Sequence, residues 1–130
     1  MNNKKEKRRN ETRKKNWVFC DGDLPPAGGD PAFAGHEALM ITNITDKDAH
    51  IRLEIYFEGR EPEKNVTLTL KARRTACLRL DKPIGDQKYQ IPFGQYALAA
   101  RSDTPVCACF GRLDVWQNNM AYYSLSGYSV

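Results

Sequence analysis

A chain of 130 residues, 41% hydrophobic and 28% charged, accommodates one domain and a short appendage. Its net charge of +4 is unevenly spread: residues 1–15 hold eight Lys or Arg against two Glu, whereas the rest holds 12 basic and 14 acidic residues. No apolar run reaches the length of a membrane span. The basic start lacks the apolar stretch of a secretory signal, so a cytoplasmic location is expected.

Residues 1–15, "MNNKKEKRRNETRKK", have nothing to bury after Met1 and are expected to form a disordered basic tail. Such a tail can hold an anionic partner through counterion release. It has no aromatic residue to stack on bases, so plain solvation is the simpler reading.

The folded domain is expected over residues 16–130, and its patterning has period two. "NWVFC" opens it, followed by the turn-rich "DGDLPPAGGDP" and the strand "EALMITN". In "HIRLEIYF", Ile51, Leu53, Ile55 and Phe57 share one face, and Arg52 and Glu54 take the other. "NVTLTLKA" turns Val66, Leu68 and Leu70 inward; "TACLRL" does the same with Ala76, Leu78 and Leu80. "QYALAAR" and "VCACF" read as two strands separated by a turn at "SDTP", the second buried on both faces, and "MAYYSLSGY" closes the chain. All seven prolines fall in connectors. The expected fold is all-β: a single antiparallel β-sandwich, jelly-roll-like, behind the tail.

The four cysteines, Cys20, Cys77, Cys107 and Cys109, form no C-x-x-C pair and are expected as small buried thiols. No His or Cys cluster has metal-ligand spacing, so neither metal nor cofactor is expected.

Several polar residues need partners. Glu37 has the parity of Leu39 and Ile41 and should enter the core, where an unpaired carboxylate is costly. It therefore calls for an arginine, with Arg112 and Arg79 the candidates, since a guanidinium fork matches a carboxylate. Arg73 and Arg74 stand in the connector before "TACLRL", His36 precedes Glu37, and Asp114 follows Arg112. Trp17, or failing it Trp116, would offer an indole face beside them. Each also has a bland reading: edge charges for the arginines, a hydrogen-bonded structural histidine, a structural ion pair, a core tryptophan.

"WVFCDGDLPP", "HEALMITN", "DKDAHIRLEIYF", "ARRT" with a following "LRL", "SDTPV" and "GRLD", in that order from Trp17 to about Asp114, resemble the sensory rhodopsin transducer-like family. The resemblance implies a compact β-sandwich assembled as a homotetramer. It also implies a soluble small-molecule-binding domain, with carbohydrates or sugar-derived metabolites as the ligand class. Only the family's namesake branch is tied to a photoreceptor. The polar set it implies is Trp17, His36, Glu37, Asn43, Arg73, Arg74, Arg79, Arg112 and Asp114. Cys77 and Phe110 stand where relatives tend to place histidines, which argues against acid–base or metal chemistry.

Three functions follow as expectations. The leading one is a non-catalytic ligand-binding or signal-transducing module, with Arg79, Arg112 and Glu37 making polar contacts and Trp17 stacking. The second is an enzyme acting on a sugar-like metabolite through His36 and Glu37 as an acid–base pair. The third is an oligomeric interaction protein that uses its tail on nucleic acid or an anionic surface.

Overall fold

The computed structural model describes residues 14–25, 35–114, 121–125 and 127–130. Most of the expected tail, and Trp116, lie outside the described residues; Lys14 and Lys15 open the first strand. The described strands are β1 (Lys14–Leu24), β2 (His36–Asn43), β3 (Ala49–Tyr56), β4 (Glu63–Leu70), β5 (Arg74–Arg79), β6 (Gly94–Asp114), β7 (Ala121–Leu125) and β8 (Tyr128–Ser129).

All pairings are antiparallel, and the fold is an all-β sandwich. One sheet runs β4-β3-β6-β1-β8; in the other, β2 lies between β5 and β6, and β7 pairs with β6. β6 belongs to both. Its Ala97–Ser102 half pairs with β3, and its Cys107–Leu113 half pairs with β2.

That strand contains the turn expected at "SDTP". The chain does not reverse there; it turns a corner from one sheet to the other. Pro105 removes a ladder donor. Ser102 Oγ donates to Thr104 O at 2.5 Å, and Thr104 Oγ1 holds Asp48 O at 3.0 Å. The flanking apolar runs keep their own partners, so the turn-forming residues serve as a bend between them.

The inner faces carry the alternation read from sequence. Leu39, Ile41, Leu53, Ile55, Val66, Leu80 and Leu98 are fully buried, and Phe19 stacks on Phe110 across the sheets at 6.0 Å. Leu80, Ile84 and Ile91 fill the open side from the β5–β6 connection. This connection also protects the edge of β4: Asp86 N donates to Thr67 O, and Gln87 Oε1 accepts the Thr67 amide at 2.8 Å.

Two expectations fail. Cys20, Cys77 and Cys107 are exposed, and Cys109 is half-buried. They sit on outer faces, because Phe19, Leu78, Ala108 and Phe110 take the inward parity. "VCACF" is accordingly one-sided. Glu54 does take the face opposite Leu53 and Ile55, yet it is only 3% exposed, because Arg101 and Tyr56 fold over it.

Candidate functional site

The inner face of β2 reads Glu37, Leu39, Ile41, Asn43: two apolar residues bracketed by two buried polar ones. Six residues of strand put these polar groups about 20 Å apart, at opposite ends of the sandwich. The expected polar set divides between those ends.

At the Asn43 end the polar groups lace two turns together. Asn43 Nδ2 donates to Lys47 O, Leu70 O and Lys71 O at 2.7, 3.2 and 3.3 Å. Its Oδ1 accepts Thr45 N and Thr45 Oγ1 at 3.0 and 2.7 Å. Arg73, in the left-handed region at φ 55°, donates its amide to Thr45 O and its Nε to Asp46 Oδ1. Arg74 is exposed, and its Nη1 donates to the Arg73 carbonyl at 3.1 Å. These groups set the β2–β3 and β4–β5 turns.

At the other end Glu37 is 1% exposed and saturated with donors. Oε1 accepts the Asp23 amide and the Tyr96 hydroxyl, both at 2.9 Å. Oε2 accepts Arg112 Nε at 2.9 Å, and Arg112 Nη2 makes an ion-pair contact with it at the same distance. Of the two arginine candidates, Arg112 is the partner, placed directly across from Glu37 by the β2–β6 register. Arg112 also donates to Asp21 O at 2.8 Å. Burial works against its charge, but the bond and charge of Glu37, with Asp21 and Asp23, hold its pKa above the ordinary value. Burial, then the charge and hydrogen bond of Glu37, push the Tyr96 phenol far above its usual range, so it remains a donor. Tyr96 and Asp23 belong to one sheet and Glu37 to the other, so this carboxylate ties the sheets together.

Gly22 makes this possible. A Cβ there would lie 2.6 Å from the Tyr96 ring, which rests on the bare backbone.

A cleft of about 70 Å³ opens beside the carboxylate, lined by Asp23, His36, Glu37, Arg112 and Leu113 among others. At about 30 Å³ per water it admits roughly two waters or one small polar group. On the outer face, Arg79 grips Asp81 through two bonds of 2.8 Å. Burial would raise the Asp81 carboxyl, but Arg79 outweighs it, with a further contribution from His36, and the pKa is lowered. His36, Arg79 and Asp81 thus form a polar rim near the cleft.

Glu37, Arg112, His36 and Arg79 are therefore brought to one end, and Asn43, Arg73 and Arg74 to the other. Asp114 ends β6 beyond Arg112, with its side chain outside the described residues. Trp17 joins neither group: it packs on the core, its Nε1 donates to Val106 O at 3.1 Å, and Asp23 is about 20 Å along β1. Sequence reasoning missed Tyr96 and Asp81. Tyr96 shares the inward parity of Leu98, and a buried phenol demands an acceptor. Asp81 was legible only as the acid two residues past Arg79.

The sequence profile described as Anabaena sensory rhodopsin transducer matches residues 12–129. Among solved structures, the chain is similar to the crystal structure of Thermotoga maritima 1070, with 29% identity, TM-score 0.76, and coverage of 91% of this chain and 96% of that one. It is also similar to the Anabaena sensory rhodopsin transducer, with 31% identity, TM-score 0.69, and coverage of 79% and 90% respectively. No curated protein matches the chain significantly. With most of its length matched by the profile, the chain belongs to the Anabaena sensory rhodopsin transducer family.

Proposed function

We propose that the chain is a non-catalytic binding and signalling module that acts in the cytoplasm and takes a hydroxyl-bearing small molecule at the Glu37 end. The observation that carries this reading is the cleft itself, floored by a carboxylate and a guanidinium held rigid by each other and by Tyr96. Preorganised polar groups at the mouth of a cleft suit recognition of a fixed hydroxyl pattern. The cleft takes one functional group, and the rest of the ligand lies over the His36, Arg79 and Asp81 rim. A sugar or sugar-derived metabolite meets these demands, with the ring held by polar contacts alone, since Trp17 is elsewhere. A homotetramer is the assembly the family resemblance suggests, and occupancy of the cleft is the event the module reports to its partner. The similar transducer takes its name from a sensory rhodopsin; a photoreceptor partner is the second reading for this chain, carried by that likeness.

Catalysis by His36 and Glu37 is disfavoured on geometry. Adjacent strand residues point to opposite faces, and both Glu37 oxygens are engaged.

A thermal-shift screen of the full chain against monosaccharides, sugar acids and sugar phosphates tests the reading. A ligand that binds only the folded state raises the melting point with concentration. We expect at least one such rise, reduced in Arg79→Ala and His36→Ala; a panel without any rise, or rises indifferent to both variants, overturns it.

A further inference from the structure

The outer face of β3 and β4 floors a second and larger concavity, of about 270 Å³. Its polar lining is His50, Arg52, Thr67, Thr69 and Asp86, and it shares no residue with the Glu37 cleft. The strand register sets His50 opposite Thr69 and Arg52 opposite Thr67, so the floor is two cross-strand pairs, each a cationic or ring side chain beside a hydroxyl.

Arg52 is also directly opposite Arg101 on β6. Like charges facing each other on neighbouring strands repel, and one carboxylate, Glu54, serves both. It is committed elsewhere: it accepts Arg101 Nε and, at 3.0 Å, the Tyr56 hydroxyl, while its nearest approach to Arg52 is 3.9 Å. That is an ion-pair contact and not a hydrogen bond. Arg52 therefore brings to the basin a half-exposed guanidinium with no hydrogen-bonded carboxylate among the described residues.

His50 is fixed in place. Its amide donates to Asp103 Oδ1 and its Nδ1 contacts Asp103 Oδ2, both at 2.8 Å, so Asp103 orients the ring. The Asp103 carboxyl itself is held below its ordinary pKa, by the His50 amide first and then by the ring. At the opposite rim Asp86 accepts the Thr67 hydroxyl at 3.1 Å. The donors thus lie at one side of the basin and an acceptor at the other.

We propose that this basin is a second ligand site, which takes an oxyanion, phosphoryl or carboxylate, on a hydroxyl-bearing small molecule. Arg52 and His50 hold the oxyanion, the Thr69 hydroxyl adds a bond, and Asp86 accepts a hydroxyl across the basin. The volume matches several waters, enough for an oxyanion and a few attached atoms. The site stands on residues separate from the proposed primary cleft, so either can fail without the other.

Isothermal titration of the full chain at constant ionic strength, with inorganic phosphate and then acetate, tests it. We expect saturable one-site binding of at least one anion. Loss of a charge-assisted hydrogen bond should weaken it about tenfold or more in Arg52→Gln. Thr69→Val should weaken it to a smaller degree, and Arg74→Ala, at an exposed residue that lines neither cleft, should leave it unchanged. Tighter phosphate binding identifies a phosphoryl ligand, and tighter acetate binding a carboxylate. The proposal is overturned if neither anion gives saturable heat, or if Arg52→Gln and Thr69→Val both bind as the unaltered chain does. Arg52 is half-exposed and Thr69 lies on the outer face, so both variants should fold.

Discussion

At the scale of single residues, two arginines separate structure from recognition. Removing Arg112 leaves the Glu37 carboxylate buried and uncompensated, and breaking such a pair costs about 3 kcal/mol or more. Arg79 is 41% exposed with its whole fork on Asp81, a surface pair whose loss costs about 0–1 kcal/mol. Urea denaturation should therefore show Arg112→Ala strongly destabilised and Arg79→Ala near the unaltered chain; equal losses would contradict the assignment of Arg112 as the keystone. For this reason Arg79→Ala, and not Arg112→Ala, is the informative binding variant. Glu54 gives a prediction in pH. Burial alone would raise its carboxyl, but the bonds from Arg101 and Tyr56 and the charges of Arg101 and Arg52 hold it below its ordinary 4.5. The unfolded chain then takes up the proton first as pH falls, so this contribution is complete above about pH 5 and is lost as pH drops through the lower folded-state value. Urea midpoints measured across that range should fall less steeply toward acid in Glu54→Gln than in the unaltered chain.

At the scale of elements, period two carried most of the reading. It placed Glu37 inside and named Arg112 as a partner candidate, because parity and the cost of a buried charge are both local rules. It failed where a second sheet or a side chain from elsewhere decides burial. Glu54 has outward parity, yet Arg101 and Tyr56 cover it, and neither contact is visible from β3 alone. β6 was divided at "SDTP" because turn composition is local, whereas the pairings that keep the chain extended are not. Asn43 shows a different limit: the family resemblance placed it in a binding set, and its five hydrogen bonds make it the lock between two turns. Asn43→Ala should cost about 2 kcal/mol or more in chemical denaturation, since it leaves several buried carbonyls and a turn amide without a partner. The same substitution should leave ligand binding at the Glu37 end intact, and a selective loss of binding would return Asn43 to the site.

At the scale of the whole molecule, the four arginines of the expected site do three jobs: Arg73 and Arg74 belong to the turns, Arg79 rims the cleft, and Arg112 holds its floor. The sequence made them look like one cluster because they are strung on strands whose register it does not state. The exposed thiols of Cys20, Cys77 and Cys107 likewise follow from register, since each takes the face its apolar neighbour leaves. One carboxylate, Glu37, paired with Arg112 in its own sheet and bonded to Asp23 and Tyr96 of the other, joins the two sheets beside an opening and gives the molecule its polar end. The most direct test of that end as the binding site is a nitrogen-edited NMR titration of the full chain with the hydroxylated ligand that shifts its melting point most. Saturable shifts should appear at the amides of Asp23, whose N–H sits on Glu37, and of His36 and Leu113. Shifts confined to other residues, with these three amides unmoved at saturation, would contradict the account.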